Sequence, residues 1–177
     1  MSEIFFDVET QRLQHEVPGG WDNIPGFGLA VAVTWDPVAG FRTWLEDQTP
    51  DLVAELACFP RVVGYNVLRF DYAVLSAYQP DIHTLLQGRT VDMLVDLSRR
   101  LGFRPPLHSV AQATLGRSKT GDGTDAVRWF RAGEMAKVVA YCQDDVTLTR
   151  DIFYHGQRHG HVLYLDRGRP TKVMVRW

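Results

Sequence analysis

The stretch Ile4-Phe5-Phe6-Asp7-Val8-Glu9-Thr10 places two carboxylates on alternate positions at the end of an otherwise apolar strand. Strand side chains alternate faces, so Ile4, Phe6 and Val8 share one face and Phe5, Asp7 and Glu9 the other, with the two acids about 7 Å apart. Two anions side by side on a core strand cost free energy through desolvation and repulsion, and one divalent cation between them removes that cost. The competing reading is a strand end running into solvent. Residues further along the chain decide between the two.

Directly after Glu9, Gln11 to Gly26 reads as a long loop punctuated by proline and glycine. Leu29 to Trp35 and Phe41 to Leu45 read as strands joined by the turn Asp36 to Gly40, so three antiparallel strands open the fold. Thr49-Pro50 looks like an N-cap with proline at the first helical position, starting a helix to about Cys58 that Pro60 ends. Arg61 to Tyr65 is a short apolar strand, parallel to the first by a crossover. Helices are expected over Phe70 to about Tyr78, Met93 to Leu101, His108 to Leu115 and Gly133 to Tyr154, with a short strand at Thr90-Val91-Asp92 and a polar loop from Gly116 to Asp125. His161 to Leu165 and Lys172 to Trp177 flank a basic tip and read as a terminal hairpin. The expected fold class is α/β: a central mixed sheet, three antiparallel strands then parallel ones, flanked by helices, with a C-terminal β-hairpin. One domain is expected over 1–177, with its core in 3–154 and the hairpin in 160–177.

At 177 residues, 45% hydrophobic and 23% charged, the chain has the composition of a globular protein able to bury a core. Cys58 and Cys142 lie in apolar surroundings without a CxxC pattern, which predicts buried free thiols in a reducing compartment. With no basic start, no long apolar leader and no apolar run of membrane-spanning length, the expected location is cytoplasmic, with no membrane contact. The net charge of −2 is polarised: residues 1–60 carry ten acids and two bases, and residues 61–177 eleven acids and seventeen bases. A basic remainder beside an acidic metal site suits a polyanion, although an arginine-rich composition also follows from codon bias.

Asn66 and Asp71 bracket a loop between a strand and a helix. Taken singly, Asp71 is an acid favoured at a helix start and Asn66 a turn residue. In the long helix Val138, Tyr141, Cys142, Asp145, Leu148, Thr149 and Ile152 fall on one face, so Asp145 sits inside an apolar stripe and Tyr141 lies one turn before it. A buried carboxylate needs a partner.

Asp7-x-Glu9 on the first strand, the Asn66-x-x-x-Phe70-Asp71 turn and Tyr141-x-x-x-Asp145 on a late helix resemble, in order and spacing, the three motifs of the DEDD exonuclease superfamily. The likeness covers roughly residues 3–154. Tyrosine four residues before the last aspartate is similar to the tyrosine (DEDDy) branch; the histidine branch has His five before, where this chain has Ala140. The chain also resembles stand-alone bacterial ribonuclease H-like exonuclease domains. The resemblance implies a 3′-to-5′ exonuclease, a phosphodiester hydrolase of nucleic acid that releases nucleoside monophosphates with two divalent metal ions; threading one end into the site calls for single-stranded DNA or RNA, DNA slightly favoured, and all-oxygen ligands favour Mg²⁺ or Mn²⁺. It implies Asp7, Glu9, Asp71 and Asp145 as metal ligands and Tyr141 as the residue that orients the attacking water. Thr10, Asn66 and Phe70 would contact the last nucleotides, and Arg12 and Lys119 are candidate phosphate contacts. Trp21 and Trp129 can stack on bases or plug the edge of the core. Asp92 reads as a helix cap. The alternatives are a catalytically silent nucleic-acid or protein binding module on the same fold, and a structure-selective endonuclease.

Other patterns fail. Around Gly116 to Gly121 the Lys119-Thr120 pair precedes the second glycine, so Walker geometry is absent. Asp122 and Asp125 do not complete a calcium loop. His155, His159 and His161 cluster at the end of the long helix, but Gly156 and the lack of cysteine or acid at ligand spacing argue against zinc.

Overall fold

The structure is a computed structural model that describes residues 3–118, 121 and 123–177. Lys119 and Asp122 fall outside them. Five strands form one mixed sheet in the order β3-β2-β1-β4-β5: β1 (Glu3–Thr10), β2 (Leu29–Asp36), β3 (Gly40–Trp44), β4 (Arg61–Gly64) and β5 (Thr90–Asp92). β1 pairs antiparallel with β2 and parallel with β4, so it holds the centre of the sheet. Its alternation works as the sequence predicts. Ile4, Phe6 and Val8 join one core, and Phe5 joins another on the opposite face.

The Phe5 face is covered mainly by α7 (Met135–His159), whose Val138, Cys142, Val146 and Ile152 pack into that core with Phe153. The same core takes in α4 (Met93–Leu101) and α5 (Leu107–Leu115). The other face is covered by α1 (Thr49–Cys58), α2 (Asp71–Leu75) and α3 (Ile82–Leu85). α6 (Gly123–Arg131) precedes α7, and a separate two-stranded sheet, β6 (His161–Asp166) with β7 (Arg169–Met174), follows it. Among the described residues no helix is long and apolar enough to cross a membrane.

Several expectations are corrected. Thr49 is not an N-cap: Gln48 is, and the Thr49 hydroxyl donates to Glu46 O at 2.7 Å from inside the helix. The helix expected from Phe70 to Tyr78 starts at Asp71 and stops at Leu75. The polar loop ends early, because Gly123 opens α6, and the long helix runs from Met135 to His159 rather than from Gly133 to Tyr154. The second hairpin strand is Arg169–Met174, not Lys172 to Trp177, since Arg167 and Gly168 take the left-handed turn positions. The loop after β1 is wound into three short 3₁₀ turns. Cys58, at the end of α1, is exposed, whereas Cys142 is buried.

Gly156 has a packing role. A Cβ there would stand 2.6 Å from the indole Nε1 of Trp177, which donates to Phe153 O at 3.0 Å and whose ring stacks on Phe153. Gly→Ala within a helix normally stabilises by up to about 1 kcal/mol. Gly156→Ala is expected instead to destabilise by about 1–3 kcal/mol, the cost of an overpacked contact. Thermal unfolding checks this, and in a Trp177→Ala background the same change should be neutral or stabilising.

Candidate active site

Asp7 and Glu9 stand at the C-terminal end of β1, where the β1–β2 register slips between Glu9 and Thr10. Opposite them α7 presents Cys142, whose Sγ lies 3.3 Å from the Asp7 backbone oxygen and 3.6 Å from Asp7 Oδ2. Donor atoms of Asp7, Glu9 and Cys142 lie within 4.8 Å of one another. Burial, and then the carboxylates of Asp7, Glu9 and Asp145, push the Cys142 thiol well above its ordinary range, so it stays protonated and donates to Asp7. Cys142 was legible only as a core thiol. Its place beside Tyr141 and one turn before Asp145 was the available signal.

Asp145 and Tyr141 are both buried, on the stripe of α7 that the sequence predicts. The Tyr141 ring packs edge-on against Trp129, centroids 6.1 Å apart, so Trp129 props the tyrosine from α6. Gly121 passes over the same pair.

Asp71, 2% exposed, comes from the start of α2, and its Oδ1 accepts the Val8 backbone N–H at 3.0 Å. That bond joins the loop after β4 to β1 between the two N-terminal acids. Val67 folds back onto Gly64 at the end of β4, where a Cβ would meet Val67 Cγ1 at 2.1 Å. Asn66 follows in the left-handed region, φ 72°, a conformation asparagine tolerates better than most residues. Its side-chain oxygen accepts from Arg104. Asp92 caps α4 through Leu94 N and Val95 N, as expected, and also accepts Asn66 N and Leu68 N, so it anchors this loop.

Burial, and next the neighbouring Asp7, push the Asp71 carboxyl well above its ordinary 3.8. The folded state therefore holds a proton that the unfolded chain releases. This contribution to stability is complete below the unfolded pKa and fades as pH rises towards the folded value. Metal-free protein is expected to lose stability from about pH 4 upward on this account, and Asp71→Asn to flatten the loss. Each kcal/mol relieved should raise the melting temperature by about 2–4 °C. Melts in chelator from pH 5 to pH 8 test this, and parallel wild-type and variant profiles would refute it.

Beside the carboxylates lies a cleft of about 450 Å³ whose lining includes Thr10, Arg12, Trp21, Phe27, Phe70 and Thr124. A second cleft of about 290 Å³, with Asn66, Arg69 and Arg104 on its walls, shares Trp21 and Phe70 with the first. Phe70, Trp21 and Phe27 pack in one aromatic group, and the Arg12 guanidinium donates to Gly26 O at 2.8 Å.

A domain with a mixed five-stranded sheet, β1 at its centre carrying acids and a late helix closing over them, is a nuclease-type fold. The family model of the RNase_H superfamily matches residues 4–156, and the chain belongs to that superfamily. Among solved structures the fold is similar to part of the family B DNA polymerase from the hyperthermophilic archaeon Pyrobaculum calidifontis, with TM-score 0.63 and 16% identity. The match covers 88% of this chain and 24% of the polymerase, so the chain spans about a quarter of that protein. No curated protein matches significantly.

Proposed function

We propose that this protein is a metal-dependent 3′-to-5′ exonuclease of the tyrosine (DEDDy) type that hydrolyses single-stranded DNA or RNA to nucleoside monophosphates. The observation that carries the reading is the gathering of acids at one point: Asp7 and Glu9 from β1, Asp71 bonded to the strand between them, and Asp145 close enough to act on the same Cys142 thiol. The donor set fits divalent cations. Burial, and next the neighbouring Asp7, drive Asp71 towards its protonated form, positive charge relieves both, and hard oxygen donors favour Mg²⁺ or Mn²⁺. Two such ions, held by Asp7, Glu9, Asp71 and Asp145, would supply Lewis-acid activation of water and neutralise the leaving oxygen.

The chain's own residues supply the rest. The Cys142 thiol and the Val8 amide fix the orientations of Asp7 and Asp71. Tyr141, held by Trp129, orients the attacking water, because a phenol is a poor general base at neutral pH. Tyr141→Phe should slow turnover by about 10–10³-fold while metal binding persists, and an unchanged rate would reduce Tyr141 to packing. Thr10, Arg12, Phe70 and Trp21 present an aromatic and cationic cleft for the terminal nucleotides, with Asn66 on the far side of the aromatic wall and Lys119 as a further phosphate contact. Aromatic faces of this kind take unpaired bases.

The test is a time course on 5′- and 3′-labelled single-stranded DNA and RNA with Mg²⁺, Mn²⁺ or chelator. The proposal expects a metal-dependent ladder from the 5′ label and immediate mononucleotide from the 3′ label. Internal fragments would indicate an endonuclease, and binding without cleavage a silent binding module.

A further inference from the structure

The C-terminal turn of α7 carries His155 and His159 at i, i+4 spacing, and His161 opens β6 directly after Gly160, which caps the helix at φ 69°. The fold brings these three imidazoles together. Ring centroids are 4.4 Å apart for His155 and His159, 5.7 Å for His155 and His161, and 6.2 Å for His159 and His161. A tetrahedral cation held by three histidines at about 2.0–2.1 Å sets their ring centres about 5 Å apart, so the His155–His159 pair stands closer than that spacing and the two pairs with His161 stand wider.

We infer that His155, His159 and His161 form a second metal site, for a borderline transition cation such as Zn²⁺, that ties the end of α7 to the terminal hairpin. His161 Nδ1 lies 3.0 Å from the His159 carbonyl oxygen. Donating there fixes the tautomer and leaves the Nε2 lone pair for a metal, the arrangement that metal-bound histidines adopt. His155 Nε2 is shielded from solvent and has no hydrogen-bond partner among the described residues.

The rings do not yet bring one nitrogen each within 4.8 Å of the other two. His159 is exposed, so it is free to rotate and close the triangle, with water in the fourth position. Gly156, which in sequence argues against such a site, is accounted for by the contact of Trp177. Imidazole donors select zinc, nickel or copper over Mg²⁺, whereas the carboxylate cluster prefers hard cations. His155 is ten residues beyond Asp145, about 15 Å along the helix, so the two sites are separate.

The experiment uses untagged chain, Zn²⁺ titration against a chromophoric chelator, and thermal unfolding with and without Zn²⁺. Variants are His159→Ala, His161→Ala and, to disable the carboxylate cluster, Asp7→Asn. Asp7→Asn should retain one equivalent of Zn²⁺ and a Zn²⁺-dependent rise in melting temperature. His159→Ala and His161→Ala should each weaken that equivalent by at least about 10–100-fold and lose the rise. Since His159 is exposed, its variant should keep the metal-free melting temperature, which separates lost ligation from misfolding. Unchanged Zn²⁺ affinity in His159→Ala, or no Zn²⁺ retained by Asp7→Asn, would overturn the inference.

Discussion

Asp7→Asn is expected to reduce cleavage by more than about 10³-fold while leaving the protein folded. Removing a single preorganised electrostatic contact in an active site already costs about 10²–10³-fold, and Asp7 is placed to do more than one such task. It is bonded by the Cys142 thiol, shares a 4.8 Å cluster with Glu9, and raises the Asp71 carboxyl. Asparagine keeps the shape and an acceptor for the thiol but removes the charge that a divalent cation needs. The same charge also pushes up the Asp71 carboxyl, a repulsion that a cation relieves. The variant should therefore melt at or above the wild-type temperature in chelator and lose the rise that Mg²⁺ or Mn²⁺ gives the wild type. Full turnover would end the metal assignment. A lower melting temperature in chelator would show that Asp7 serves the fold more than the site.

What the sequence disclosed and what it hid separate by distance. Period two in β1 and the apolar stripe of α7 are local patterns, and both put Asp7, Glu9, Tyr141 and Asp145 where the structure has them. α4 runs from Met93 to Leu101 as expected because its start and stop signals, Asp92 and Gly102, are adjacent to it. α6 was missed because its start lies among glycine, threonine and aspartate, which read as loop, although Ala126 and Val127 are buried. The Cys142 thiol reaches Asp7 across the core, and Gly156 makes room for Trp177. The place of Cys142 on the Asp145 face of α7 is the only local hint of the first tie and nothing local hints at the second, since each depends on segments that only the finished fold brings together.

Asp92 is the sharpest instance, and Asp92→Ala is expected to cost about 3–5 kcal/mol. That is more than the ~0.5–2 kcal/mol of losing a helix cap alone. Its Oδ1 accepts from Asn66 N at 2.9 Å, Leu94 N at 3.0 Å and Val95 N at 3.2 Å, and its Oδ2 accepts from Leu68 N at 3.0 Å. Alanine strands four amides around a carboxylate that is 6% exposed, and unsatisfied buried donors cost about 1–3 kcal/mol each where water cannot replace the bond. Partial hydration of the Asn66 and Leu68 amides lowers the sum. Asn66 holds a left-handed conformation that the Asp92 bond helps to enforce, and the same loop leads through Phe70 to Asp71 at the start of α2. Loss of the anchor should therefore also loosen Asp71, so activity should fall even at temperatures where the variant is folded. Asp92→Asn makes the argument quantitative. Its Oδ1 can keep three of the four bonds while its amide group faces the Leu68 N–H, so its loss of stability should be well under half that of alanine. Denaturant unfolding of the two variants measures this ratio, and equal losses would mean that charge, not the count of bonds, is what Asp92 contributes.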